Sequence, residues 1–90
     1  MTAKGSSPPK YNPKLVERAV LEVVIELDPV CQAVPELSLR IAADPQDLKE
    51  VETITHAIRN LRRLGLLRRR KDGRIAPTEA ALHAASLLLG

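Results

Sequence analysis

The sequence predicts a mainly α-helical domain carrying one small β-hairpin, and three observations lead there. Apolar residues recur at three- and four-residue steps over two long stretches, an Asp72-Gly73 pair divides two short extended pieces, and the last dozen residues are almost continuously apolar. No internal repeat interrupts this order.

Residues 1–12 hold Gly5, Ser6, Ser7, Pro8 and Pro9 with Lys4 and Lys10 and almost nothing apolar, too little to offset the entropy of ordering. They read as a flexible basic arm ahead of a domain at 13–90. Asn12 supplies a cap and Pro13 a first helical residue, and Leu15, Val16, Ala19, Val20, Val23, Val24 and Leu27 form one apolar face. The first helix therefore spans about 13–27 and stops at Asp28-Pro29. Val30 to Pro35 reads as a connector. Leu37, Leu39 and Ile41 alternate as in a strand, yet the segment after Pro35 also makes two helical turns. The helical reading, at about 36–43, is adopted.

Asp44-Pro45-Gln46-Asp47 offers a cap, a proline at the first helical position and acidic residues facing the positive end of the dipole. Leu48, Val51, Ile54, Ile58, Leu61 and Leu64 then step by three or four up to Gly65, which predicts a long helix at about 46–64. Beyond Gly65 the period shortens. Leu66 to Arg70 and Ile75-Ala76 flank Lys71-Asp72-Gly73-Arg74, and the Asp-Gly pair suits a tight primed turn in a hairpin at 66–77. Thr78 caps a last helix at 79–89.

Composition excludes several classes of function. Ninety residues make one domain that buries roughly 60–65% of its unfolded surface, too little for a core plus an elaborate enclosed site. A single cysteine, Cys31, forms no internal disulfide; in an apolar connector it reads as a small buried hydrophobe. Cys31, His56 and His83 lack metal-finger spacing, so neither metal nor cofactor is expected. His83 falls with Glu79 and Ser86 on a polar stripe and reads as solvated. No nucleophile motif, Gly-rich phosphate loop or pair of acid/base carboxylates appears, so the chain is not expected to be an enzyme. Tyr11 is the only aromatic residue, which removes the stacking platforms that grip single strands. No apolar run approaches membrane-spanning length and no secretory leader is evident, which places the expectation in the cytoplasm.

The net charge of +3 conceals a strong polarity along the chain. From Arg59 to Arg74, eight basic residues face Asp72 alone, a net of +7; from Glu17 to Glu52, three basic residues face nine acidic ones, a net of −6. Basic runs are often no more than solvated faces. Here the cluster spans the end of the longest helix and the hairpin after it, two elements a small domain can present together to a polyanion. At 100° per residue, Glu52, His56, Arg59, Asn60 and Arg63 lie opposite the apolar row, flanked by Thr53 and Thr55. Those types suit double-stranded DNA: arginine grips guanine, asparagine pairs with adenine, and threonine serves phosphate or a thymine methyl. Glu50 and Glu52 oppose this, since carboxylates repel phosphate unless Glu52 accepts a hydrogen bond from cytosine.

The segment Thr53-Ile54-Thr55-His56-Ala57-Ile58-Arg59-Asn60-Leu61-Arg62-Arg63-Leu64-Gly65-Leu66-Leu67 resembles the recognition helix and the start of the wing in winged helix-turn-helix transcriptional regulators, broadly of the MarR or ArsR type. The likeness continues through Arg68 to Arg74 as the wing and Pro77-Thr78-Glu79-Ala80 as the start of the next helix, covering roughly 36–82. It implies a recognition helix in the major groove and a wing on the backbone or minor groove. By position, Thr53, Thr55, His56, Arg59 and Asn60 face the groove, Arg63 continues that face, and Arg69, Lys71 and Arg74 lie on the wing. Asp44 to Glu52 stands where the family has a short turn: either the recognition helix starts early or the turn carries an insertion. Winged helices also serve as protein-interaction modules in larger assemblies, which is the alternative reading.

On the last helix only Glu79, His83 and Ser86 interrupt Ala80, Ala81, Leu82, Ala84, Ala85, Leu87, Leu88 and Leu89. A domain this small covers one side of such a helix, so a homodimer through it is expected.

Overall fold

Asn12 opens the first helix as its sequence requires: its Oδ1 accepts the Lys14 N–H at 3.0 Å, and Pro13 fills a position whose N–H has no helical partner. The computed structural model describes residues 12–89, so the basic arm at 1–11 lies outside the described residues. The elements are α1 (Pro13–Leu27), β1 (Gln32–Ala33), α2 (Val34–Ile41), α3 (Leu48–Arg63), β2 (Leu67–Arg69), β3 (Arg74–Pro77) and α4 (Glu79–Leu89). The described residues are therefore mainly helical, with four helices and a three-stranded antiparallel sheet in the order β1-β3-β2.

Three boundaries correct the sequence reading. The connector expected at 30–35 contains β1, whose Gln32 and Ala33 pair with Ile75 and Arg74 and add a third strand to the hairpin. Two residues are too short to show alternation. The segment read as helix at 36–43 is helical from Val34 to Ile41, with the Glu36 carboxylate accepting the Ala33 N–H at 2.9 Å in front of it. The long helix begins at Leu48 rather than 46. Asp44 caps a turn instead, its Oδ1 accepting from Gln46 N–H and its carbonyl from Asp47 N–H, while Asp47 is the helix cap and takes the N–H groups of Lys49 and Glu50. Glu50 reaches back from the first turn of α3 to accept both the Ala43 and Asp44 N–H groups at 2.9 Å. The carboxylate that seemed to oppose an anion is thus committed to the α2–α3 connection. Residues 44–47 form a turn and 48–52 belong to α3.

Gly65 ends α3 in the left-handed region at φ 83°, with Gly65 N–H donating to Arg62 O and Leu66 N–H to Leu61 O. That pair of bonds is the Schellman pattern, and it turns the chain directly into β2. The hairpin pairs Leu67 with Pro77, Arg68 with Ala76 and Arg69 with Ile75. Its turn is not the primed two-residue type. Among the described residues only Gly73 in this loop has positive φ, at 87°, and Arg70 O accepts the Gly73 N–H, matching a type I turn closed by a left-handed glycine. Asp72 stays on the ordinary side of φ and uses its carboxylate to accept the Arg74 N–H at 3.0 Å.

Thr78 joins the ends of two elements: its hydroxyl donates to Gly65 O at 2.7 Å and accepts from the Ala81 N–H, and its own N–H donates to Leu66 O. The core is aliphatic throughout. Val20, Leu37, Ile54 and Ile75 are its largest fully buried side chains, joined by Val24, Ile58, Leu61 and Leu67. So α3 sits centrally, its inner row locked between α1, α2 and the sheet while its outer row faces solvent.

One buried group opposes this packing. The Ser38 hydroxyl on α2 finds no hydrogen-bond partner among the described residues although the residue is only 5% exposed. An unpaired buried hydroxyl costs about 1–3 kcal/mol, and alanine is also the better helix former. Ser38→Ala is expected to raise stability by about 1 kcal/mol, read as a higher urea midpoint at unchanged slope. A lower midpoint would show that the hydroxyl is satisfied after all.

Candidate nucleic-acid interface

The outer row of α3 follows from its period. Taking 100° per residue, Glu52, His56, Arg59 and Arg63 fall within about 60° of one another, and all four are exposed. Ile54, Ala57, Ile58 and Leu61 on the opposite side are buried. Because the inner row is held by the core, the outer row is presented on a rigid rod.

The sequence-predicted residues separate into groups. Thr53, His56, Arg59, Asn60 and Arg63 line a groove of about 540 Å³ whose other wall is Pro13 and Glu17 of α1. Asn60 does not face outward with the arginines: its Nδ2 donates to Glu17 Oε2 at 2.7 Å, a side-chain bond across 43 positions of sequence. The structure therefore holds the Asn60 amide against α1. Thr53 and Thr55 both donate their hydroxyls to their own helix, to Lys49 O at 2.8 Å and Val51 O at 3.0 Å. Two residues of helix separate them by about 200°, so Thr53 borders the α1 groove and Thr55, half-buried, lies on the far flank. They therefore border the outer row of α3 from opposite sides.

A second, more open depression of about 460 Å³ lies between the end of α3 and β2, lined by Arg59, Arg62, Arg63, Leu67, Arg68 and Arg69. Five guanidinium groups border it and no carboxylate does. The hairpin brings Arg68 and Arg69 there because Leu67 is anchored in the core, and the Arg69 guanidinium extends over Gly73, 3.8 Å from where a Cβ would stand. Arg62 and Arg68 were not among the candidate site residues. The sequence placed them in the basic cluster, but only the folded arrangement turns Arg62 on the Thr55 flank of α3 toward the strand.

At the tip of the hairpin the charges are partly compensated by Asp72. Asp72 lies 3.9 Å from Arg70 and 4.0 Å from Arg74, leaving Lys71 as the one tip cation without an ion pair among the described residues. The neighbouring Cys31 side chain first, and the Asp72 charge second, hold the Arg70 proton more firmly than usual. Cys31 is half-buried, its thiol donating to Pro29 O at 3.6 Å, so it is not the enclosed hydrophobe expected. His83 is exposed, as its polar stripe implied.

Among the described residues no group of three or more His, Cys, Asp or Glu could hold a metal ion, and no described helix is long and apolar enough to cross a membrane. No family model, curated protein or solved structure matches the chain.

Proposed function

We propose that the chain is a winged-helix protein that binds double-stranded DNA, with α3 as the recognition helix in the major groove and the β2–β3 hairpin as a wing on the backbone or minor groove. The order α1-β1-α2-α3-β2-β3-α4, with the third strand pairing outside the hairpin, is the connectivity such a fold needs. The observation that carries the reading is the shared surface: arginines from α3 and from β2 border one depression, and none of them is paired with an acid among the described residues. A solvated basic face has no reason to gather cations from two elements around one hollow, where like charges repel. A duplex repays that repulsion through counterion release. The lack of aromatic side chains favours the duplex over single strands.

The protein acts as a homodimer in this reading and regulates transcription from paired half-sites. Support comes from Leu87 on α4, 71% exposed, and Leu15 on α1, 64% exposed, which the other described residues leave uncovered. Two recognition helices would then read inverted half-sites roughly 10 base pairs apart.

Selection from random duplex DNA at near-physiological salt tests the reading, and an enriched inverted repeat is the expected result. With about six phosphates neutralised, log affinity should fall against log salt with a slope near −5. A slope near zero, or no retained duplex, would transfer the basic surface to the alternative, an acidic protein partner. Sedimentation showing a monomer at micromolar concentration would remove the dimer.

A further inference from the structure

We infer that the depression at the base of the hairpin, between the last turn of α3 and β2, is the seat for the phosphodiester backbone, with Arg62 and Arg68 as its anchoring side chains. The inference rests on the duplex-binding reading and specifies which part of the surface grips the polyanion. It differs from what the resemblance implies, which puts the wing contacts at Arg69, Lys71 and Arg74.

Charge placement within the hairpin decides between base and tip. Arg70 and Arg74 at the tip share Asp72, whose carboxylate stands within 4.0 Å of both and also accepts the Arg74 N–H, and Lys71 lies beside it in the same turn. A phosphate arriving at the tip meets that carboxylate and competes with it for guanidinium donors. At the base, five arginines surround Leu67 and no acid lines the hollow. Each guanidinium presents a fork of donors matched to phosphate oxygens, and a shallow depression lets several converge on one group.

Geometry divides the work on α3 itself. Arg62 lies about 60–100° around the helix from Arg59 and Arg63, on the flank nearer β2 and away from the Glu52, His56, Arg59 and Arg63 row. Side chains on that outer row reach furthest into a groove that admits the helix, whereas a flank residue meets the strand that walls the groove. Arg68, on a strand anchored at both neighbours by Leu67 and the Arg69–Ile75 pair, faces the same wall. Contacts of this kind fix position and carry no sequence information, so the seat contributes equally to every duplex.

The test uses the full chain and 20-base-pair duplexes, one of selected and one of scrambled sequence, titrated between about 50 and 200 mM salt. Arg62 and Arg68 are exposed, so R62A/R68A is expected to keep the wild-type circular dichroism. It should weaken both duplexes about equally, by about tenfold or more, and flatten the salt slope by about 1.8, the value for two phosphates. The tip variant K71A/R74A should flatten it by less than half as much. A tip effect equal to or larger than the base effect, or a base effect confined to the selected duplex, overturns the seat while the duplex-binding reading stands. Failure of the wild-type protein to bind either duplex overturns that reading and the seat with it. Tighter retention of an RNA duplex through the same two arginines overturns the assignment to DNA.

Discussion

Reversing two charges on the outer row of α3, Arg59→Glu with Arg63→Glu, is expected to reduce duplex affinity by about 10³-fold at near-physiological salt. Each arginine removed from a base edge or phosphate costs about 1–3 kcal/mol, and each glutamate introduced adds a repulsion that the remaining cations only partly offset. Both positions border the α1 groove and the arginine-lined depression, so the change strikes the two hollows together. The fold should survive it. Both side chains are exposed and neither forms an ion pair among the described residues, so the stability cost is confined to acidic residues near the negative end of the helix dipole, about 0.3–1 kcal/mol. Arg18→Glu is the control for Arg59→Glu, since it makes an equal change in net charge on the exposed side of α1. It replaces a surface pair with Glu22 at 3.5 Å by an i,i+4 repulsion, a change of about 1 kcal/mol at most. Gel-shift titration of the variants checks the expectation. Affinity within about threefold of wild type for the double variant, or an equal loss for Arg18→Glu, would mean that α3 carries a solvated basic face.

How much of this surface was legible in the sequence depended on the range of the interaction that forms it. The first helix was readable to the residue because its start is written locally, in Asn12 and Pro13, and its apolar steps run unbroken to Leu27. Equally local signals misplaced the start of α3. Asp44-Pro45 has the composition of a cap followed by a first helical residue, yet Asp47 three residues later has the same capability, and the carboxylate of Glu50 reaching back to Ala43 and Asp44 selects the later start. Composition cannot rank two adjacent caps when the tie is broken by a side chain further along. The turn at Asp72-Gly73 was located correctly and its type was not, because the Asp72 side chain bonds Arg74 N–H and leaves the left-handed position to Gly73 alone.

Long-range partners were invisible. Nothing near Asn60 announces Glu17, so helical angle placed Asn60 with the arginines when the fold holds it against α1. The same blindness hid the depression at the base of the hairpin. Arg62 and Arg68 belong to a basic run in the sequence, but their convergence needs the Schellman turn at Gly65 to bring β2 alongside the end of the helix. The two-residue strand β1 is defined only by its pairing with β3, forty residues away in the chain, and so could not be read from Gln32 and Ala33 by themselves.

The largest stability effect is expected from Ile54→Ala, about 3 kcal/mol destabilising, with the melting midpoint lowered by about 15 °C or more. Ile54 is 1% exposed and sits in the core with Val20, Leu37 and Ile75. That core has no aromatic side chain and no disulfide, so each large aliphatic residue carries an unusual share of the burial. Domains of this size are held by roughly 5 kcal/mol, so losing about three of them brings the chain close to its unfolding threshold at body temperature. Leu48 provides the comparison on the same helix. It is 75% exposed at the first turn of α3, and Leu48→Ala should stay within about 0.5 kcal/mol of wild type. The two variants also separate folding from binding, because Ile54 and the arginine row occupy opposite faces of one helix. At 10 °C and low denaturant, where Ile54→Ala remains mostly folded, its duplex affinity should match wild type within the folded fraction. Equal destabilisation by the two variants would show that the inner and outer faces of α3 have been misassigned, and the arginines would then have no claim to a common exposed surface.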